Sequence, residues 1–123
     1  MVPAWRLLRV RNGEPCTLFH GWQGSRTLPM DYALKAEVKD VRNPGKKEGP
    51  TFLSGWHVLM SKQGCVEYLK RFKAKDDIVV CRVDVAGLRT KPRSSVTLAQ
   101  VMKINQADWE AALYEHGHVD IDI

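Results

Sequence analysis

Between Ile78 and Ala86 the chain reads IVVCRVDVA, and no other run restricts the fold as tightly. A strand turns successive side chains to opposite faces. Val79, Cys81, Val83 and Val85 therefore form one apolar row, while Arg82 and Asp84 share the other face with Ile78 and Val80. Such a row needs neighbouring strands on its flanks and a layer to cover it. Ala4–Val10 (AWRLLRV) is a first neighbour. It runs into Asn12-Gly13, a pair that tolerates positive φ and so predicts a two-residue hairpin, with Cys16–Trp22 (CTLFHGW) as the returning strand. Leu28–Val38 reads as extended, although Ala33–Glu37 reads equally well as a short helix. Gly55–Ser61 (GWHVLMS) is expected to be a strand with Trp56, Val58 and Met60 toward the core and His57 and Leu59 opposite. Val96–Ile104 (VTLAQVMKI) supplies a last strand, reached through a basic connection over Gly87–Ser95.

Two helices are expected. From Ser61 to Lys73, Cys65, Tyr68, Leu69 and Phe72 recur at i, i+3, i+4 and i+7. Ser61 suits the N-cap, and Lys70, Arg71 and Lys73 suit the negative end of the helix dipole. Asn105 is placed to cap a second helix, Gln106–Glu115, with Trp109, Ala112 and Leu113 inward. Asp40–Pro50 (DVRNPGKKEGP) carries two prolines and two glycines, so it reads as an irregular loop, flexible over 41–50. These segments predict a single α+β domain over residues 1–123. It is a mainly antiparallel sheet packed with a central amphipathic helix and a C-terminal helix, and the acidic tail 116–123 is expected to fray.

No apolar run approaches the roughly 20 residues of a membrane span, and MVPAWRLLRV lacks a signal-peptide core, so a cytoplasmic location is expected. Cys16, Cys65 and Cys81 show no C-x-x-C spacing and read as small apolar residues in a reducing compartment. Charge is distributed unevenly. All 19 lysines and arginines but only nine of the 14 acids precede Asn105, which leaves +10 on residues 1–104 and −5 on the remainder. A basic body favours an anionic partner, whether nucleotide, RNA or DNA, or an acidic protein face. The same asymmetry lets the tail of one copy meet the body of another in a homo-oligomer.

Arg9 and Arg11 share a strand face with Trp5 and Leu7, and Arg6 lies opposite them. Guanidinium beside indole is suited to holding a phosphate while stacking a base. Trp56, His57 and Arg82 extend this candidate ligand-binding set. Two basic runs, Lys70-Arg71-Lys73-Lys75 and Arg89-Lys91-Arg93, form an electropositive patch if the helix end and the later connection lie together. No Walker loop, G-x-G-x-x-G or zinc-finger spacing accompanies them, so no cofactor is expected. In the tail His116, His118, Asp120 and Asp122 alternate as a metal's ligands could, but a frayed polar terminus accounts for them and no metal is expected.

Several pieces occur in a recognisable order: Trp5-Arg6-Leu7-Leu8-Arg9-Val10-Arg11, a glycine-containing turn, Gly55-Trp56-His57, the alternating Val79–Val85 strand and Ala99-Gln100-Val101-Met102-Lys103-Ile104. Over residues 4–104 this set resembles a family of small phage and prophage proteins. That family is uncharacterised and brings no activity with it; a phage setting joined to the arginines and tryptophans above gives the expectation of a non-enzymatic binding protein that inhibits a host defence, by engaging a nucleotide signal or a host nucleoprotein complex. More distantly, the pattern is similar to the ADP-ribosyltransferase-like fold. Its enzymes use a His or Arg on the first strand, a Tyr or Ser on a middle strand and a Glu on a late strand around NAD. That likeness would give the three places to Arg9, His57 and Gln100. An amide at the third place neither stabilises positive charge on a ribose nor activates an acceptor as a glutamate does. A binding protein is therefore the leading expectation, an NAD-using transferase the alternative, and a structural, oligomer-forming protein the third.

Overall fold

The computed structural model describes residues 1–18, 26–41 and 52–119. The first strand, β1 (Val2–Arg11), turns back through Asn12 and Gly13 into β2 (Glu14–Cys16). Both turn residues have positive φ, 52° and 78°, and Arg11 pairs with Glu14 across them. This is the geometry that matches the right-handed twist of the flanking strands. Two short pairs follow, β3 (Leu34–Lys35) on the main sheet and β4 (Asp40–Val41) with β5 (Phe52–Leu53) off it. Next come β6 (Trp56–Val58), α1 (Lys62–Leu69), the long β7 (Ile78–Thr90), β8 (Thr97–Lys103) and α2 (Gln106–Glu115).

The main sheet is antiparallel, in the order β2-β1-β7-β8-β3, and β6 also pairs with β8. The sheet curls because β6 does not stop at β8. One residue after Val58, Leu59 exchanges two backbone hydrogen bonds of 2.8 Å with Trp5 of β1. Hydrogen bonding therefore runs in a closed circuit through β1, β7, β8 and β6. Val79, Cys81, Val83 and Val85 face a core that includes Trp56, Val58, Met102 and, from α2, Trp109, Ala112 and Leu113. The opposite face of β7, at Ile78 and Val80, packs with Leu7, Leu59 and Cys65 of α1, joined by Tyr68, Leu69 and Phe72. The α+β class is thus observed, and no helix among the described residues is long and apolar enough to cross a membrane.

Several boundaries differ from the sequence reading, each for a local reason. The hairpin's return strand begins at Glu14 and ends at Cys16; positions 19–22 of the expected strand lie outside the described residues. No helix forms over Ala33–Glu37, where Leu34 and Lys35 pair with Met102 and Val101 instead. Asp40 and Val41 are not loop but backbone-paired with Leu53 and Phe52; residues 42–51 of that loop are outside the description. Met60 is 42% exposed rather than inward, because the crossing to Trp5 buries Leu59 and ends the alternation. α1 ends at Leu69, with Lys70 as its C-cap, so Arg71 and Lys73 lie beyond the helix. β7 runs on through Gly87, whose φ is +67°, to Thr90, which makes Arg89 a strand residue rather than part of a connection.

The helix caps divide in the same way. Ser61 caps α1 as expected, its Oγ accepting from Gly64 N at 3.0 Å. Asn105 holds the N-cap position of α2 but makes no capping bond with its side chain, which instead donates to Asp84 at 2.6 Å. The capping acceptor is Asp31 Oδ1, 3.1 Å from Gln106 N. Asp31 has φ +64°, a conformation that Asp and Asn tolerate better than other non-glycine residues. At the far end of α2, His116 Nε2 accepts from Val80 N at 3.0 Å. The Ile78–Val83 stretch of β7 lies outside its pairing with β8, so this bond occupies a donor on an otherwise open strand edge. Lys62 of α1 meets Glu115 of α2 at 2.6 Å beside it.

Two predictions follow from these contacts. Asp31→Ala should destabilise the protein by about 1–2 kcal/mol in urea denaturation, since it removes the cap and leaves a Cβ residue in the left-handed region. Asp31→Asn should stay close to the parent. The His116 ring is held below its ordinary value of 6.5 by burial, opposed by Glu115 and reinforced by His118 and Lys62. A neutral ring is the form that accepts from Val80, so its contribution is complete above about pH 6.5 and is lost as pH falls through the lowered value. Melting temperatures between pH 8 and 5 should fall on the acid side, and His116→Gln, which keeps an acceptor without titrating, should flatten that fall.

Candidate anion-binding site

Alternation along β1 places Arg6 in the same row as Ala4 and Leu8, both of which are core residues. Arg6 is only 8% exposed, the one charged residue among the buried set described. Sheet closure sets its surroundings. Because Leu59 pairs with Trp5, the preceding residues Trp56 and His57 are brought against the neighbouring Arg6. Its Nη1 donates to the His57 carbonyl at 2.9 Å, and its guanidinium carbon lies 5.4 Å from the centre of the Trp56 ring. Gly55 lets the chain enter β6 close to Val38. It has φ +115°, and a Cβ there would come within 2.9 Å of Val38 Cγ2. The Trp56 ring is fixed in turn by its Nε1, which donates to Leu34 O at 2.9 Å.

The charge on Arg6 has no counter-ion among the described residues. None of the ion pairs found there includes it, and its Nε is buried with no hydrogen-bond partner among the same residues. Burial lowers its pKa to about 10; Cys65 opposes that shift and Arg26 adds to it. The group is therefore still protonated at neutral pH. Cys65 cannot supply the missing negative charge, because burial raises its thiol to about 12 despite the neighbouring Arg6. On linkage grounds the folded state carries about 3 kcal/mol of unfavourable charge burial at this residue. Opposing it are a charged hydrogen bond of about 1.5–3 kcal/mol and a cation–π contact of about 0.5–2 kcal/mol.

Arg6 opens on a cavity of about 60 Å³ lined by Arg6, Leu7, Leu18, His57, Leu59, Tyr68, Phe72 and Val96. That is roughly the volume of two waters, enough for a single small anion. His57 Nδ1 lies 3.2 Å from Gly55 O, an acceptor, so the ring donates from that nitrogen. Arg71 stacks over Tyr68 at 4.9 Å. The lining joins the end of α1, through Tyr68 and Phe72, to Val96 at the end of the β7–β8 turn. Of the two basic runs read from the sequence, Arg71 reaches the lining through Tyr68, and none of Lys70, Lys73, Lys75, Arg89, Lys91 and Arg93 lines the cavity. On the other side of this site, Arg26 approaches the Trp56 ring at 5.7 Å.

The remaining sequence candidates lie apart from the cavity. Arg9 is held by Asp77 at 3.0 Å, and Arg82 bridges Asp84 at 3.3 Å and Asp108 at 3.2 Å. Arg11, Arg89 and Arg93 are exposed, Lys91 is half-buried in the turn, and Trp5 packs with the α1-side cluster. Gln100 lies across from Gly87, where a Cβ would approach its side chain to 2.8 Å, and its carbonyl accepts from Ala36 N at 2.7 Å. Arg9, opposite Ile78, and Gln100, beside Gly87, are therefore about nine strand residues apart along β7, on the order of 30 Å. The structure does not bring Arg9, His57 and Gln100 into one cleft. In the tail, His116 Nε2 is engaged by Val80, and Asp120 and Asp122 lie outside the described residues. No family model matches the chain, and no curated protein or solved structure shows significant similarity to it.

Arg6→Met preserves the unbranched stem and removes the charge. A buried arginine that completes an ion pair costs about 3–5 kcal/mol to replace, whereas one whose burial is uncompensated is close to neutral. Denaturant titration of Arg6→Met should give a stability within about 1 kcal/mol of the parent. A loss of several kcal/mol would mean that Arg6 is there to hold the fold.

Proposed function

We propose that the protein is a non-enzymatic binding protein for a phosphate-bearing small molecule of the nucleotide class, anchored by Arg6. The observation that carries this reading is the Arg6 guanidinium: buried, protonated, lacking a carboxylate among the described residues, and with its Nε unpartnered beside a cavity. A phosphate oxygen there gains a charge-assisted bond in a site of low dielectric, and it supplies a counter-charge that no described residue provides. Trp56, Tyr68 and Phe72 give the neighbourhood the aromatic surface that bases use. The resemblance to small phage proteins adds a biological setting, in which such a site would sequester a host nucleotide signal. The transferase reading gains no support from the placement of Arg9, His57 and Gln100.

Thermal melts test this directly. At constant ionic strength, a ligand at about 100 times its Kd stabilises by about 2.7 kcal/mol, equivalent to a rise on the order of 10 °C for a chain this size. Phosphate or nucleotides should raise the parent's melting temperature well beyond matched chloride and leave Arg6→Met unmoved. If no phosphate-bearing compound does so, the reading fails.

A further inference from the structure

We infer that the ligand carries two anionic groups, as a diphosphate does, and that Arg26 and Lys35 hold the second in a cleft against Trp56. This deepens the reading of Arg6 as an anion anchor and rests on it. The cleft has a volume of about 250 Å³; Arg26, Thr27, Lys35 and Trp56 line it together with apolar residues such as Leu34, and no carboxylate does among the described residues. It shares the Trp56 ring with Arg6. Guanidinium carbons 5.4 and 5.7 Å from one ring centre lie within about 11 Å of each other. Arg26 is one of the groups that lowers the Arg6 pKa, so the two cations repel each other across this distance.

Both cations stand on anchored backbone. Arg26 N donates to Thr17 Oγ1 at 3.0 Å, and Arg26 O accepts from Thr17 N at 2.9 Å. Lys35 is registered against Val101 of β8. No described carboxylate pairs with Arg26 or Lys35, although Arg9, Lys62, Lys70 and Arg82 all find acids. Arg6, Arg26 and Lys35, none of them paired with a described acid, thus lie around one tryptophan. A group with one negative charge satisfies Arg6 alone, whereas two linked anions also relieve the repulsion between Arg6 and Arg26.

The test is isothermal titration of the full chain with orthophosphate, pyrophosphate, AMP and ADP at fixed ionic strength, for the parent, Arg26→Ala and Lys75→Ala. Lys75 is exposed and lines neither cleft, so its loss controls for net charge. Pyrophosphate and ADP should bind the parent at least about tenfold more tightly than orthophosphate and AMP. Arg26→Ala should reduce that ratio to about twofold while leaving orthophosphate binding in place, and Lys75→Ala should preserve it. ADP tighter than pyrophosphate would make the diphosphate part of a nucleotide; the reverse order would make inorganic pyrophosphate the ligand. Equal affinity for mono- and diphosphates, or equal effects of Arg26→Ala and Lys75→Ala, overturns the two-anion inference alone. Absence of binding by all four compounds overturns the Arg6 reading with it.

Discussion

The structure depends on a single crossing. After three residues beside β8, the chain at Leu59 moves to β1 and exchanges two short hydrogen bonds with Trp5. Without that step the sheet would be an open ladder, and Arg6, in the core row of β1, would have no indole and no carbonyl beside it. With it, the edges of β1 and β8 are drawn together and Trp56 and His57 are carried onto Arg6. Closure of a sheet normally disposes of an edge. Here it also buries a charge against an aromatic ring.

The charges elsewhere show why this place is unusual. Arg9, Arg82, Lys62 and Lys70 are each matched to an acid at 3.3 Å or less. These pairs are at least partly solvated and contribute little individually. Arg6 differs in both respects, being buried and lacking an acid partner among the described residues. The acidic side chains after Ile104 are engaged in part by their own element and its neighbours, Asp108 with Arg82 and Glu115 with Lys62.

Much of the framework was legible because it rests on local rules. The Val79–Val85 alternation, the Asn12-Gly13 turn and the Ser61 cap each depend on residues within a few positions of one another. What was not legible depends on distant partners. Asp31 caps a helix 75 positions away, so Asn105, the obvious local candidate, was credited with the bond. Met60 was assigned to the core because alternation cannot anticipate a strand that changes neighbours after one residue. β7 outlasted its apolar pattern because Gly87 adopts positive φ without breaking the ladder to β8. The candidate site divides along the same line. Trp56, His57 and Arg6 were all noted, but weight fell on Arg9 and Arg11, which share a face with Trp5. The clue to Arg6 was its parity with Ala4, Leu8 and Val10, an arginine in an apolar row. Arg26 and Lys35 carry no local signal, since only the folded chain sets them beside Trp56.

The central claim is that Arg6 is a buried cation awaiting an anion. Nitrogen-15 NMR of arginine Nε–H groups reads this directly, because the Nε of Arg6 is buried without a hydrogen-bond partner among the described residues and without a carboxylate beside it. Titration with phosphate should move the Arg6 Nε–H resonance saturably and slow its exchange with water, while the Arg9 signal, whose Nε already lies 3.0 Å from Asp77 Oδ2, stays in place. An Arg6 resonance that does not respond, or one that drifts in parallel with those of exposed arginines, would contradict the account.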